Sequence, residues 1–398
     1  MSDFFARQDF KKKFNQMEMG MTSRRAFLKQ CMGASSLLLP TPQGVGAVEE
    51  NRYLEQSGWI MPDESHPHLA TWMAFAPHAS WAKKIGEPLQ DALARIANTI
   101  VQYEPVNMLV SKNNLALAKK KCDARIQFFI KETDDLWLRD TGPVFVLNSK
   151  DETAGVNFNF NGWGGKQSHA YDSQIAKFIL KQKAVCELAA PLVMEGGGIE
   201  VDGQGTAIIT ESCVLNSNRN PGLTKNDCEA QLKKYLGIRK VIWLPGIAGR
   251  DITDGHTDFY ARFAKPGVVV AGYEPDATSY DHAVTKRHLE ILQAATNADS
   301  QPLQVVVMAG PTTVRSEFDN KHFAAGYINF YIANGAVLVA EFGDAAADAA
   351  AKALLHDLFP GRVVVQLNID PIAAGGGGIH CTTQQQPLGT LAAEAAMH

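Results

Sequence analysis

Five times along the chain, a segment with helical periodicity runs directly into a short β-branched segment. No other feature of the sequence limits the possible folds as much. The helical segments are 88–104, 170–183, 224–236, 280–296 and 344–359. In the first, Leu89, Leu93, Ile96, Ile100 and Val101 fall on one face at the helical spacing. Thr224 and Asp344 stand where N-caps belong. The runs that follow are VNMLVS, AVCELAA, RKVIWLP, LQVVVMA and RVVVQLNI. Each is bounded by Gly, Pro or Asn and reads as a strand. Further apolar runs lie between the units: RIQFFI, PVFVLN, GVNFNF, TAIIT, GVVVAG, YINFYIA and AVLVAEF. With 398 residues and 45% hydrophobic content, the units have enough apolar surface to pack around shared cores as one catalytic-sized domain.

Alternating helices and strands suggest a doubly wound sheet by default. However, no Gly-x-Gly-x-x-Gly or Walker A motif opens a helix after a strand. The other solution is a ring of five small sheets. A second regularity favours the ring. Polar, glycine-rich stretches with titratable residues recur between units, at 132–143, 194–203, 248–258 and 373–383. Loops of this kind meeting at one end of a ring would build a single site on a rigid scaffold.

Those stretches supply the candidate residues. Cys381 follows four glycines and His380 and has no apolar neighbours downstream, unlike most structural cysteines. A reactive thiolate is expected in an electropositive, partly exposed setting. On an extended chain His380 points away from Cys381, so a histidine from elsewhere is the better partner. His256 is the best remote candidate. If its segment is a strand, Asp258 shares its face. Asp140 closes the run DDLWLRD three residues after Trp137, and Glu195 precedes three glycines. The glycines at 196–198 and 375–378 would allow a ligand to approach the backbone closely.

The inventory is therefore one nucleophile, one histidine and several carboxylates. A hydrolytic triad needs one carboxylate. Two aspartates suit a planar cation with paired N–H donors, because guanidinium–carboxylate contacts are readily bidentate. A thiolate could attack the guanidinium carbon, with histidine protonating the departing ammonia and then activating water. His256, Asp258, His380 and Cys381 do not show a known metal-ligand spacing.

The motifs TDDLWLRDTGPVFV, FNFNGWGGK, MEGGGIEVDGQGT, DGHTD, YINFYIANGAVLVAEFGD and GGGGIHCTTQQQP, in this order from about 59 to 387, resemble the agmatine deiminases. They equally resemble the bacterial peptidylarginine-deiminase-type proteins grouped with them. The resemblance implies an α/β fold, a five-bladed pseudo-symmetric α/β propeller of the guanidine-modifying (pentein) superfamily. It implies Cys381 as nucleophile, His256 as general acid/base, and Asp140 and Asp258 as guanidinium clamps. Glu195 would support the histidine, and Trp137 would pack on the substrate. No cofactor and no metal are implied. The calcium dependence of animal peptidylarginine deiminases does not carry over, since there is no EF-hand loop. The implied partner is a small cationic guanidine, with agmatine first and peptidylarginine as the alternative. A non-catalytic guanidine receptor and an amidinotransferase stay open behind them. The stretch PGIAGRDIT (245–253) departs from the family pattern near the distal end of the pocket.

The N-terminus resembles an export signal. Arg24, Arg25 and Phe27-Leu28-Lys29 precede a mildly apolar stretch that ends in small residues at Val45-Gly46-Ala47. This is a twin-arginine pattern, too short and too interrupted by Pro40 and Pro42 to span a membrane. The expected division is 1–47 signal and preceding tail, 48–398 catalytic domain, with a periplasmic or secreted location. The formal charge of −4 offers nothing to a nucleic acid. No membrane partner is expected after signal cleavage, and assembly into a homo-oligomer is compatible with the sequence. After removal of 1–47, five cysteines remain without a Cys-x-x-Cys pair, which excludes a zinc ribbon or a dense disulfide framework. Pairing of Cys213 with Cys228 is left open.

Overall fold

A computed structural model of the chain describes residues 58–391. The export segment expected at 1–47 lies outside the described residues. Among those described, no helix is long and apolar enough to cross a membrane.

Five small sheets make up the described residues, and each repeats one unit. An inner strand runs antiparallel to a middle strand, and a helix then carries the chain to an outer strand parallel to the middle one. In blade two these strands are Val144–Leu147, Glu152–Asn157 and Cys186–Ala189. In blade three they are Ile199–Val201, Thr206–Thr210 and Lys240–Leu244. Blade four has Ala261–Lys265, Val268–Tyr273 and Gln304–Ala309. Blade five has Tyr331–Ala333, Ala336–Glu341 and Val363–Asn368. Blade one is closed from the far end of the chain. Its inner strand is Gln384–Pro387, antiparallel to His68–Phe75, with Val106–Val110 and Gln127–Ile130 outside. The ring is thus sealed by pairing the two ends of the domain, which leaves no open inner edge. This is the five-bladed α/β propeller expected from the unit count.

The crossover helices are Glu87–Ile100, Ile175–Lys183, Lys225–Leu236, His282–Ala294 and Ala345–Leu358. Thr224 caps the third in a reciprocal capping box with Asp227. The Asp344 side chain caps the fifth through the Ala347 N–H. The helix expected at 170–183 is shorter, because Asp172–Gln174 forms a 3-10 turn first. Two expected strands also shrink. The run 155–160 leaves its sheet after Asn157, where Asn159 adopts a positive φ of 54°. The run 327–333 is strand only from Tyr331. Apolar side chains pack between blades and under the helices; Trp72, Leu109, Leu138, Phe145 and Ile179 fill the space between blades one and two. The axis is polar. Arg262 of blade four pairs with Glu200 of blade three and with Glu64, both at 2.9 Å.

Candidate active site

Every connection between neighbouring blades contributes a side chain to one place. Asp140 comes from the one-to-two connection, Glu195 from two-to-three, and His256 with Asp258 from three-to-four. Asn329 comes from four-to-five, and Cys381 from five back to one. All six are buried, Cys381 being 6% exposed. A ring with equivalent connections at one end gathers residues that are far apart in sequence.

Local structure sets each one. Asp140 lies in the single helical turn Leu138–Thr141. Its Oδ2 accepts from Trp163 Nε1 at 3.0 Å, and its Oδ1 accepts from the Gly197 N–H at 3.0 Å. Gly197 permits this approach. A Cβ there would sit 2.7 Å from His256 Nδ1, 2.9 Å from Asp140 Oδ1 and 3.1 Å from Asp258 Oδ2. Any side chain at 197 would therefore push the three apart. His256 and Asp258 do not lie on a strand. His256 precedes the 3-10 turn Thr257–Phe259, and that turn, rather than strand alternation, brings both side chains to the site.

His256 has two different sides. One ring nitrogen, Nδ1, lies 3.7 Å from Asp140, and the other, Nε2, lies 3.3 Å from Glu195 Oε2. Burial opposes a charged imidazole here. The Asp140 charge and the Cys213 and Glu195 hydrogen bonds outweigh it and hold His256 protonated well above its usual range. Burial likewise resists charge on Glu195. His256 and the Arg219 guanidinium, which reaches both of its oxygens at 2.9 and 3.0 Å, keep it ionised below its usual range. Arg219 also reaches Asp254 at 2.8 Å, tying the Glu195 loop to the loop of His256.

Cys381 does not occupy the electropositive, half-exposed setting expected of a reactive thiol. Burial, then the charges of Asp258 and Asp140, push its thiol well above the usual range. Asp258 Oδ2 lies 3.5 Å from Sγ. Two contacts act the other way, a Gly378 backbone hydrogen bond and Asn329, whose Nδ2 is 3.2 Å from Sγ. The chain at His380 and Cys381 is a turn rather than extended, and both side chains reach the same oxygen, Asp258 Oδ2. The His380 imidazole bridges Asp258 at 2.7 Å and Glu64 at 2.8 Å.

The glycines before Cys381 serve protein side chains rather than a ligand. A Cβ at Gly377 would lie 2.2 Å from Trp137 Cζ3. Trp137 stacks on Trp81 at 5.7 Å between centroids, and Trp81 donates to Asp135. The site is short of positive charge. Glu195 has Arg219 and Asp258 has His380, but Asp140 is pushed above the carboxylate range by burial and by the charges of Asp258 and Glu195, against the pull of His256. Asp258 Oδ1 is buried without a hydrogen-bond partner among the described residues. A buried, orphaned carboxylate oxygen beside a thiol is a place for a cation bearing N–H groups.

The site places Cys381, His256, Asp140, Asp258 and Glu195 together, with Trp137 packed against the cysteine loop. Sequence reasoning missed Asn329, Arg219 and Glu64. Asn329 lay inside a run that reads as a strand; Arg219, in NSNRNP, carries no motif signal; and Glu64 precedes the first unit. Cys213 and Cys228 form no disulfide. Cys213 lies 3.5 Å from Glu195 Oε2, and Cys228 is buried in a helix, which raises its thiol to about 12.

Residues 60–387 match the Porphyromonas-type peptidyl-arginine deiminase family. The agmatine deiminase of Pseudomonas fluorescens is 37% identical over 353 residues, covering 83% of this chain and 96% of that protein. The agmatine deiminase of Stutzerimonas stutzeri is 36% identical over 356 residues, with the same coverage. Among solved structures, an agmatine deiminase of Enterococcus faecalis catalysing its reaction superposes with a TM-score of 0.79 at 32% identity. It covers 84% of this chain and 97% of that one.

Proposed function

The chain belongs to the Porphyromonas-type peptidyl-arginine deiminase family, and from that premise we propose that it hydrolyses agmatine to N-carbamoylputrescine and ammonia through a covalent cysteine adduct. It is a deiminase-type hydrolase acting on C–N bonds of guanidines. The observation that carries the reading is the unpartnered Asp258 Oδ1 beside the Cys381 thiol in a buried site rich in carboxylate.

Asp140 and Asp258 hold the guanidinium plane by charge-assisted hydrogen bonds. The incoming cation offsets the two charges that, with burial, keep Cys381 protonated, so on substrate binding the thiol gives its proton to solvent, and it stays inert otherwise. The sulfur bonds to the guanidinium carbon. His256, protonated in the resting site, gives its proton to one amino group, and that C–N bond breaks to release ammonia. The now neutral His256 takes a proton from water, whose oxygen attacks the thiouronium carbon. The C–S bond breaks as the added hydroxyl passes its remaining proton to the departing sulfur, returning the ureido product and the thiol, with His256 again protonated. Glu195 stabilises the imidazolium from behind, as the carboxylate of a triad does.

The buried site and the agmatine deiminase relatives support a small, free guanidine substrate. The second reading, arginine at a peptide C-terminus, draws on the 245–253 stretch. Exposed Arg250 there stacks on the Tyr280 ring at 3.9 Å, and a cation so near the His256 loop favours a substrate carboxylate. Mature protein assayed with agmatine, arginine and arginyl peptides separates the two readings. Agmatine is expected to give ureido product fastest, and acid-quenched protein is expected to carry the mass of agmatine less ammonia. A panel without any ureido product would remove the assignment. We further propose twin-arginine export to the periplasm. Replacing Arg24 and Arg25 by lysine should leave the protein in the cytoplasmic fraction, and an unchanged distribution would reject export by this route.

A further inference from the structure

One buried cluster has chemistry that the deimination above does not use. Behind His256, on the side away from Asp140, the ring Nε2, Glu195 Oε2 and Cys213 Sγ all lie within 4.8 Å of one another. We propose that Glu195, Cys213 and His256 form a binding site for a thiophilic divalent cation of the zinc class, and that its occupation switches the enzyme off. The inference rests on the reading of His256 as general acid/base.

The geometry fits such an ion. Zinc binds imidazole nitrogen at about 2.0–2.1 Å, carboxylate oxygen at about 2.0–2.2 Å and thiolate at about 2.3 Å. A tetrahedron built on these bonds has an N–O edge of about 3.4 Å and an S–O edge of about 3.6 Å. The observed separations are 3.3 Å from Nε2 to Oε2 and 3.5 Å from Sγ to Oε2. Those two edges match to about a tenth of an ångström, and the third, Nε2 to Sγ, lies within 4.8 Å. Gly198 borders the cluster: a Cβ there would lie 3.6 Å from Sγ, 3.8 Å from His256 Cδ2 and 4.0 Å from Nε2, so the missing side chain leaves that flank of the three ligands uncrowded.

The donor set is a mixed N, O and S set that suits zinc rather than calcium or magnesium. Binding would displace one proton from the Cys213 thiol and one from Nε2, both to solvent. The negative charge of the thiolate and Glu195 then balances the ion, while Arg219 keeps its hold on Glu195. A metal on Nε2 leaves His256 with a single proton, on Nδ1. That ring can neither take a proton from water nor act as an imidazolium toward ammonia. Both halves of the reaction stop, and a chelator restores them.

The test uses Co2+ as a spectroscopic probe on Cys381→Ala, which removes the competing thiol of the nucleophile. One equivalent is expected to give thiolate-to-cobalt absorption and tetrahedral d–d bands. Adding Cys213→Ser should abolish the thiolate band and weaken Co2+ binding by at least about 100-fold, more than a lost second-shell contact would. Gly198→Ala in the same background keeps every ligand but sets a methyl 3.6 Å from Cys213 Sγ, crowding that flank of the ion, and should weaken binding without unfolding the protein. In the unsubstituted enzyme, Zn2+ should suppress ureido formation and EDTA should restore it. Absence of the bands in Cys381→Ala, or their persistence with Cys213→Ser, overturns the site. Intact bands in a protein that turns over no guanidine would instead defeat the proposed function and leave the metal site standing.

Discussion

Asp258→Asn is the substitution that most directly tests the proposed logic of the site, because it should move two observables in opposite directions. Asp258 Oδ2 lies 3.5 Å from Cys381 Sγ, and both groups are buried. At an effective dielectric of about 20, two unit charges at that separation repel by about 5 kcal/mol. Taken as a ceiling, that corresponds to about three pK units on the thiol. The variant should therefore alkylate faster with iodoacetamide in the absence of substrate, with the midpoint of its pH profile shifted down by one to three units, an order-of-magnitude range. The same change removes charge-assisted hydrogen bonds to the guanidinium, each worth about 1.5–3 kcal/mol. Two such bonds correspond to a fall in kcat/KM of about 10²–10⁴. The assay pairs alkylation kinetics across pH with ureido formation from agmatine. A more reactive thiol in a nearly inactive enzyme is the expected result. If alkylation and turnover fall together, Asp258 merely holds the fold. If the thiol profile does not move, the view that carboxylates keep Cys381 protonated is wrong.

Asn329→Ala should shift the same thiol the other way. It removes the Nδ2 contact at 3.2 Å, so the alkylation midpoint should rise and turnover should fall by about 10–100-fold. Gly377→Ala places a methyl 2.2 Å from Trp137 Cζ3, and urea unfolding should show a loss of about 1–3 kcal/mol together with reduced turnover. His288 is buried, which pushes it down to about 4 from an ordinary 6.5. Its folded pKa is depressed, so the unfolded chain takes the proton first as pH falls. Stability is full above about 6.5 and should be lost between there and about 4, by up to about 3 kcal/mol, in urea melts compared with His288→Gln. An identical pH slope in that variant would refute the assignment.

The five-fold repeat was legible because periodicity is local. Helical spacing in 88–104 and the capping residues Thr224 and Asp344 follow from neighbours within one or two turns. The Gln384–Pro387 strand was not legible. Its side chains are polar and buried, and its partner His68–Phe75 lies more than three hundred residues away. Asn329 was hidden for a related reason. The run from 327 to 333 has strand composition, yet its first four residues lie outside the strand, and Asn329 among them meets Cys381 of the neighbouring connection.

The candidate groups could be picked from the sequence alone, since a cysteine after glycines, a remote histidine and spare carboxylates suit a planar guanidinium cation better than a triad does. How those groups are charged was decided only by the tertiary structure. The ring brings Asp140 and Asp258 against Cys381 in a buried space, so the thiol is held protonated rather than activated at rest. It also commits His380 to a bridge from Asp258 to Glu64. Charge depends on distances between residues that the chain keeps far apart and on the loss of water around them. Neither quantity exists until the five blades close.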